Sequence, residues 1–291
     1  MKKRIILFGS LLAAFVMIMI SNVSAVEYNI NHTYIKSIER PNNMFTFSDT
    51  LSIPSWLWFL LGGILSLPLV KLYFSRIIYV DDDAPDQWYD YMHVKTIQEG
   101  IDHARFAYAN NIRVYDGIYE EQIIMKSSFF IPGLFGFWLI GNGSNSTIID
   151  AKGSNYGIDL QYIDGWSRII GFTIKNASVS GINIGDSQWN FITENTFINN
   201  EIGIRNIGRK YIDSNFNPVW KNNFIHNNLN AYDAGENDWS FDWYGEIPIG
   251  GNYWDDYNGE DRDGDGIGDT PYYIAGGNSR DTYPLIHMWE E

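Results

Sequence analysis

Thr173-Ile174-Lys175-Asn176, Thr196-Phe197-Ile198-Asn199 and Asn223-Phe224-Ile225-His226 are three versions of one short phrase, an apolar residue set between neighbours that suit a strand and closed by Asn or His. They begin 23 and then 27 residues apart, the longer interval holding a polar insertion around Arg209 to Pro218. A second series, Tyr156-Gly157-Ile158, Ser180-Gly181-Ile182 and Ile202-Gly203-Ile204, keeps step with it at offsets of 24 and 22. Short β-rich runs recurring at this period, with Gly and Asn at the corners, suit one coil of a parallel β-helix. A single coil cannot bury its apolar edge alone, so coils stack and equivalent residues form rows along the axis. Ile174, Phe197 and Phe224 are expected to stack inside. The Asn-Asn pairs at 199–200 and 227–228 are expected at turns, because Asn accepts the left-handed backbone and bonds its neighbours. A leucine-rich horseshoe needs a leucine pattern that is missing, and a propeller needs a period about twice as long. The expected fold is all-β, a right-handed parallel β-helix over residues 77–235.

A solenoid needs its ends covered. Thr96 to Ala104 places Ile97, Ile101 and Ala104 at helical spacing, which predicts an amphipathic helix over the N-terminal mouth. It precedes a strand pair, Ile112 to Tyr119 and Glu121 to Met125. At the other end, residues 236–291 read as an aromatic, acidic cap.

The chain has 291 residues, 20 basic against 35 acidic side chains, a net charge of −15 and no cysteine. The acidic balance argues against nucleic acid, which calls for a basic face. Without cysteine there is no disulfide scaffold, thiolate metal site or thiol nucleophile. From Asp233 to Glu291 there are 15 acids against Arg262 and Arg280 alone, so most of the charge lies in the last fifth of the chain. Inside it, Asp261-x-Asp263-x-Asp265-Gly266-Ile267-Gly268-Asp269 sets carboxylates at positions 1, 3, 5 and 9, glycine at 6 and a backbone carbonyl at 7. Alternate spacing turns successive carboxylates into one concavity, and such a set of hard oxygens suits Ca2+. The expected metal ligands are Asp261, Asp263, Asp265, the carbonyl of Ile267, and Asp269, with Asp255 or Asp256 as further candidates. Position 12 is Tyr272 where an EF-hand has Glu, and no helical pattern flanks the loop. A structural clasp of thrombospondin or dockerin type fits better than a sensor.

Residues 1–25 read as an export signal: Lys2, Lys3 and Arg4, the apolar run Ile5 to Ile20, then Val23-Ser24-Ala25. An uncleaved first transmembrane helix is the alternative. Residues 26–49 form a linker. Thr50 to Val70 is uncharged and long enough to span a bilayer, with Trp56 and Trp58 suited to the interface, giving a membrane segment over 50–74. A buried core helix is the alternative there. Insertion of this segment as a stop would leave the remainder cytoplasmic. Lys71 and Arg76 agree with that placement, and Lys36 and Arg40 offset them. The sequons at Asn31, Asn142, Asn145 and Asn176 point outward. The reading adopted is export with membrane anchoring, at the cell surface.

Ile78-Tyr-Val-Asp-Asp-Asp-Ala-Pro, the Thr96-Ile-Gln helix, Arg113-Val-Tyr-Asp-Gly-Ile-Tyr-Glu-Glu and Ile140-Gly-Asn-Gly-Ser resemble the opening of NosD-like right-handed parallel β-helix proteins. Gly251-Asn-Tyr-Trp-Asp-Asp-Tyr with Asp261 to Ile274 resembles the C-terminal signature of the same group, common in archaeal surface proteins. The resemblance runs from about Ile77 to His287, with Phe129 to Leu139 as an apolar insertion. It implies the β-helix fold and brings in copper, since NosD proteins are linked to copper-site maturation. Copper wants clustered His, Met or Cys. Here the histidines are scattered at 32, 93, 103, 226 and 287, and only His287-Met288 sets two soft ligands together, so copper is not expected.

The fold also hosts polysaccharide lyases and glycosidases. Hydrolysis needs two carboxylates about 5 to 10 Å apart. Asp164 and Asp186, 22 residues apart and so able to stack, are the candidates with Glu194, and a lyase could use Lys175, Arg168 or Arg205 as base. None of these forms a catalytic motif. Trp166, Trp189, Tyr211, Trp220, Trp239, Trp243 and Trp254 offer either stacking platforms for sugar rings or packing for the coil and its cap, the latter preferred. The expected partners are the membrane and surface glycans or a surface protein. The expected role is binding or structural, with polysaccharide cleavage as the competing one.

Overall fold

The repeat phrases are three-residue strands, and the computed structural model places them on one face of a parallel β-helix. It describes residues 76–107, 111–126, 137–208, 217–235, 237, 239–240 and 250–290, with the side chains of 105–107 and 164–166 excepted. The signal segment, the linker and the 50–74 membrane segment lie outside the described residues, as do most of the Phe129 to Leu139 insertion and residues 209–216. No described helix is long and apolar enough to cross a membrane.

The chain enters through β1 (Ile77–Val80) and β2 (His93–Val94), then helix α1 (Ile97–Ala107), and lays down strands three to a coil. The coils are β3 (Asn111–Val114), β4 (Gly117–Tyr119) and β5 (Ile123–Lys126); β6 (Trp138–Ile140), β7 (Thr147–Asp150) and β8 (Tyr156–Gln161); β9 (Asp164–Ile170), β10 (Thr173–Lys175) and β11 (Ser180–Gly185). They continue with β12 (Gln188–Thr193), β13 (Thr196–Ile198) and β14 (Ile202–Asn206), then β15 (Val219–Trp220), β16 (Asn223–Ile225) and β17 (Leu229–Asp233). β18 (Tyr253–Trp254) adds one last rung, and β19 (Tyr272–Tyr273) pairs antiparallel with β20 (Arg280–Asp281) in the cap. Every third strand pairs in parallel, giving three long sheets: β2-β1-β3-β6-β9-β12-β15, β4-β7-β10-β13-β16-β18 and β5-β8-β11-β14-β17.

Both series found in the sequence are in register. Ile174 pairs with Phe197 and Phe197 with Phe224, while Ile158, Ile182 and Ile204 align on the neighbouring sheet. Alternate strand residues point inward, and Ile158, Ile174, Ile182, Phe197, Ile204 and Phe224 are fully buried. The inner row continues as a column of rings: Phe197–Phe224 at 5.0 Å, Phe224–Trp254 at 4.3 Å and Trp254–Tyr272 at 4.2 Å between centroids, all within 14° of parallel. The coil spacing itself imposes the offset stack that aromatic pairs favour.

The glycine of the second series makes room for these rings. A Cβ on Gly203 would lie 2.4 Å from the Asn230 carbonyl oxygen and 2.7 Å from the Phe224 ring. Gly203→Ala is therefore expected to lower unfolding free energy by about 2 kcal/mol through overpacking. Gly185→Ala, whose Cβ would meet nothing nearer than 3.6 Å, serves as the control in the same chemical denaturation series.

The turn expectation needs shifting by one residue. Asn176, Asn199 and His226 hold the left-handed backbone at φ 61°, 56° and 53°, so 199–200 aligns with 226–227 and not with 227–228. The Asn that follows each of the last two turn residues bonds between coils: Asn200 Oδ1 accepts the Ala177 amide, and Asn227 Oδ1 accepts the Asn200 amide at 3.0 Å. Helix α1 lies where the spacing predicts, with Ile97 and Ile101 fully buried and Ala104 1 % exposed. Thr96 Oγ1 accepts the Glu99 amide, and the Glu121 carboxylate accepts those of Ile97 and Gln98 at 2.8 and 2.9 Å. These satisfy first-turn N–H groups that a helix cannot pair internally.

Candidate metal centre in the C-terminal cap

Between β18 and β19 the chain turns at Gly264 and Gly266, both with positive φ (76° and 89°). Asp261 organises the loop, its two oxygens accepting the amides of Gly264 at 2.8 Å and Gly266 at 3.0 Å. Asp265 Oδ1 accepts the Ile267 amide at 2.8 Å. One carboxylate oxygen from each of Asp261, Asp263 and Asp265 falls within 4.8 Å of the others. Asp261 is half-buried, and Asp263 and Asp265 are exposed. Three anionic oxygens this close repel unless a cation lies among them, and hard oxygen donors suit Ca2+. Asp269 sits at the neck: its Oδ2 accepts the Arg262 amide at 3.1 Å and its own amide donates to the Glu260 carbonyl at 2.8 Å.

The loop is joined to the last rung through Leu285, which bridges to Ile267 on one side and Tyr253 on the other. The Gly268 amide donates to the Pro284 carbonyl and the Ile286 amide to the Gly266 carbonyl. Tyr272, at the position of the EF-hand glutamate, serves instead as the last ring of the core column. Burial and the Asp256 carboxylate push its phenol above the ordinary tyrosine range. Asp255 and Asp256 do not join the acidic group. Asp255 accepts the His226 amide at 2.6 Å, and both accept from Asn230 Nδ2 at 3.0 and 2.8 Å, so they pin the cap to the last coil.

Beneath the cap runs a buried polar ladder. Asn195 Oδ1 accepts the Phe172 amide, Asn222 Oδ1 the Asn195 amide, Asn252 Oδ1 the Asn222 amide, and Asp281 Oδ2 the Asn252 amide at 2.7 Å. Asp281 also accepts Trp254 Nε1 and the Tyr283 amide, both at 3.0 Å. Burial pushes its carboxyl up to about 6 against these donors. The sequence held a signal for the ladder: an Asn stands immediately before Thr196, Asn223 and Tyr253, at offsets of 27 and 30.

The backbone register does not align the candidate catalytic acids in one row. Asp164 aligns with Gln188 and not with Asp186. Asp186 and Glu194 occupy left-handed turns at φ 48° and 59°, one after β11 and the other after β12. Among the candidate bases, Lys175 pairs with Asp150 at 3.4 Å, Arg168 lies 4.7 Å from the Trp138 ring, and Arg205 donates to Asn183 Oδ1. That last bond completes a row on the outer face of the third sheet, where Asn183 Nδ2 donates to Asp159 Oδ1 at 2.8 Å. Of the aromatic candidates, Trp239 and Trp254 are fully buried and so are packing, not platforms. Trp189 and Trp220 are half-buried. Tyr211, Trp243 and the side chain of Trp166 lie outside the described residues.

The stacked parallel strands, inner rows and covering helix define a parallel β-helix protein. Residues 134–259, under half of the chain, match the family described as periplasmic copper-binding protein (NosD), so this stretch is similar to NosD-like parallel β-helix proteins. No curated protein matches the chain. Among solved structures, a pectin methylesterase from carrot is similar at 16% identity and a TM-score of 0.32, over 56% of this chain and 54% of that one. The chain thus spans about half the length of that structure.

The described donors do not fit copper. His93 Nδ1 is engaged with Asp90 at 2.8 Å, and His103 Nδ1 with the Tyr91 carbonyl at 2.9 Å, each ring stacking on a tyrosine. No described histidine joins a group of His, Asp and Glu able to share an ion. His287 and Met288 are exposed.

Proposed function

We propose that this protein is an exported, membrane-anchored β-helix of the cell surface, a binding or structural module whose C-terminal cap is clasped by Ca2+. The observation that carries the reading is the convergence of Asp261, Asp263 and Asp265 within 4.8 Å on a loop tied through Leu285 to the last rung. A cation there would draw together the segment that covers the open end of the solenoid. Losing the bidentate glutamate of an EF-hand lowers affinity toward extracellular calcium levels, roughly 10⁻⁴ to 10⁻³ M. The word periplasmic in the family description supports a location outside the cytoplasm, and the apolar Thr50 to Val70 stretch supports an anchor that enters the membrane without stopping transfer of the residues after it. Surface glycans are the proposed ligand class. Polysaccharide cleavage has less support, because the candidate acids stand in different turns and sheets.

The test is thermal unfolding of the purified full chain across a calcium titration. At ten times its dissociation constant, Ca2+ is expected to stabilise by about 1.4 kcal/mol, raising Tm. Asp263→Ala and Asp265→Ala should abolish that rise while leaving the calcium-free Tm within a degree or so of the parent. A flat response through millimolar calcium would remove the clasp.

A further inference from the structure

Ile158, Ile182 and Ile204 point inward on the third sheet, so the residues that alternate with them point out. These outward positions form two rows, Asp159–Asn183–Arg205 and Gln161–Gly185–Ile207. Ile207 follows the end of β14 and takes its place beside Gly185 through its amide, which donates to the Ile184 carbonyl at 3.3 Å. Glycine leaves the second row without a side chain at its middle. A Cβ on Gly185 would meet only the Leu160 carbonyl oxygen, Asn183 Nδ2 and Ile207 Cδ1, at 3.6 to 4.0 Å, so the space above it is open. From Gln161 to Ile207 the notch spans two coil spacings, about 10 Å. Tyr162, next to Gln161, and Ile207 are 66 % and 44 % exposed. Two large apolar side chains are thus left in water at either end of an open position.

The first row lies alongside as a bonded network. Asp159 and Asn183 face outward yet are only 5 % and 6 % exposed. Asn183 Nδ2 donates to Asp159 Oδ1 at 2.8 Å, Gln161 Nε2 donates to Asp159 Oδ2, and Arg205 Nη1 donates to Asn183 Oδ1 at 2.9 Å. This sequence of bonds decides which way each amide faces. It also holds two long side chains, Gln161 and Arg205, in place while leaving both half-buried. Among the described residues these bonds use one N–H of each. The Gln161 carbonyl and the remaining N–H groups of Gln161 and Arg205 are left for a ligand.

We infer that this notch is a subsite for one pyranose ring of a neutral polysaccharide, an inference that rests on the glycan-binding reading above. Sugar hydroxyls both donate and accept, as the Gln161 amide does, and the Arg205 guanidinium adds donors beside it. Tyr162 and Ile207 offer apolar surface to the C–H face of the ring. The buried Asp159–Asn183 pair fixes Gln161 and Arg205 before a ligand arrives, which lowers the entropy lost on binding. Charge points to a neutral sugar. Asp159 belongs to the network, and Asp164 and Asp186 stand close to the notch along the chain, against Arg205 and Lys126. An acidic sugar therefore gains no net attraction there.

The test is affinity electrophoresis of the full chain, with calcium present, through gels that hold a soluble β-glucan, a mannan or a galactan, and polygalacturonate as the acidic comparison. The expected result is retardation by at least one of the neutral polymers. Gly185→Leu, which fills the notch, and Arg205→Gln should each weaken that binding at least about tenfold, and Tyr162→Ala about fivefold. Ile118→Ala, at an exposed position on the second sheet, should leave it unchanged. Thermal unfolding of each variant checks the fold. Arg205→Gln and Tyr162→Ala alter only side chains at the surface, so they decide the matter even where Gly185→Leu lowers Tm. Retardation that survives all three changes overturns the notch and leaves the glycan reading standing. Failure of every polymer to retard the parent overturns the glycan reading and this inference with it. Retardation by polygalacturonate alone overturns the neutral assignment.

Discussion

Asn222→Ala is expected to lower unfolding free energy by roughly 3 to 6 kcal/mol, a large part of the 5 to 15 kcal/mol that holds an ordinary domain folded. Asn222 is fully buried, and every polar atom it carries is used. Its Oδ1 accepts the Asn195 amide and side chain, both at 3.1 Å. Its Nδ2 donates to the Ile192 and Trp220 carbonyls and to Asn252 Oδ1, each at 2.9 Å. Alanine therefore strands one buried N–H and two buried carbonyls, each costing about 1 to 3 kcal/mol when left without a partner or water. Asn222→Asp should fail as well, since it restores the acceptor but not the donors and adds a buried charge. Asn228→Ala, at an exposed position where Nδ2 reaches only Glu201, should change stability by less than about 0.5 kcal/mol. The comparison is made by chemical denaturation. A loss at Asn222 no larger than at Asn228 would mean that the ladder fills space without holding the coils in register. A cycle of Asn222→Ala with Asn252→Ala should be strongly non-additive, because the two share bonds.

What the sequence made legible follows from which physical effect leaves a period in it. Inward positions recur once per coil and must be apolar, so Ile174, Phe197 and Phe224 could be aligned by eye and the fold read from them. Gly157, Gly181 and Gly203 recur for the same reason, since Ile174, Phe197 and Phe224 press on them in turn. The acidic loop was legible because Asp261, Asp263 and Asp265, which the fold brings within 4.8 Å, are close in sequence. The ladder Asn195, Asn222, Asn252 recurs just as regularly. It was hidden because Asn is also the common corner residue, and only the structure separates a turn Asn such as Asn199 from a buried one such as Asn200. The pairing of Asp164 with Asp186 failed because the coils differ in length, so a separation of 22 residues need not place two side chains in one row. The actual partner, Gln188, follows from the bulge in β12 between Gln188 and Asn190, which leaves no mark in the composition. Trp239 and Trp254 were ambiguous on any reading of residue type, because an indole suits a sugar ring and a core equally well.

Stability is expected to fall as pH rises from about 4 to about 6.5, by about 3 kcal/mol on account of Asp281 alone. In the unfolded chain this carboxyl ionises near 3.8, while in the folded chain burial holds the proton until about 6. Between those values the native state keeps a proton that the unfolded state has released, so unfolding becomes easier with each step up in pH. The contribution is fully present below about pH 4 and gone once pH passes the folded value. Asp281→Asn removes the titration. It also carries a constant penalty, because Asp281 Oδ1 accepts the Tyr283 amide while Oδ2 accepts Asn252 and Trp254, and an amide must turn its NH2 toward one set of donors. The difference in stability between the parent and Asp281→Asn should therefore be largest near pH 4 and shrink toward pH 7. Denaturation curves are taken at each pH with calcium chelated, so that Asp261, Asp263 and Asp265 contribute equally to both proteins. The ladder ends on this residue, so the pH-dependent step should appear first as exchange of the Asn252 and Trp254 amides, ahead of those of β10 and β13. A parent that gains stability over Asp281→Asn as pH rises would show that the N–H groups around Asp281 outweigh its burial, and the carboxylate would then be the ionised end of the ladder.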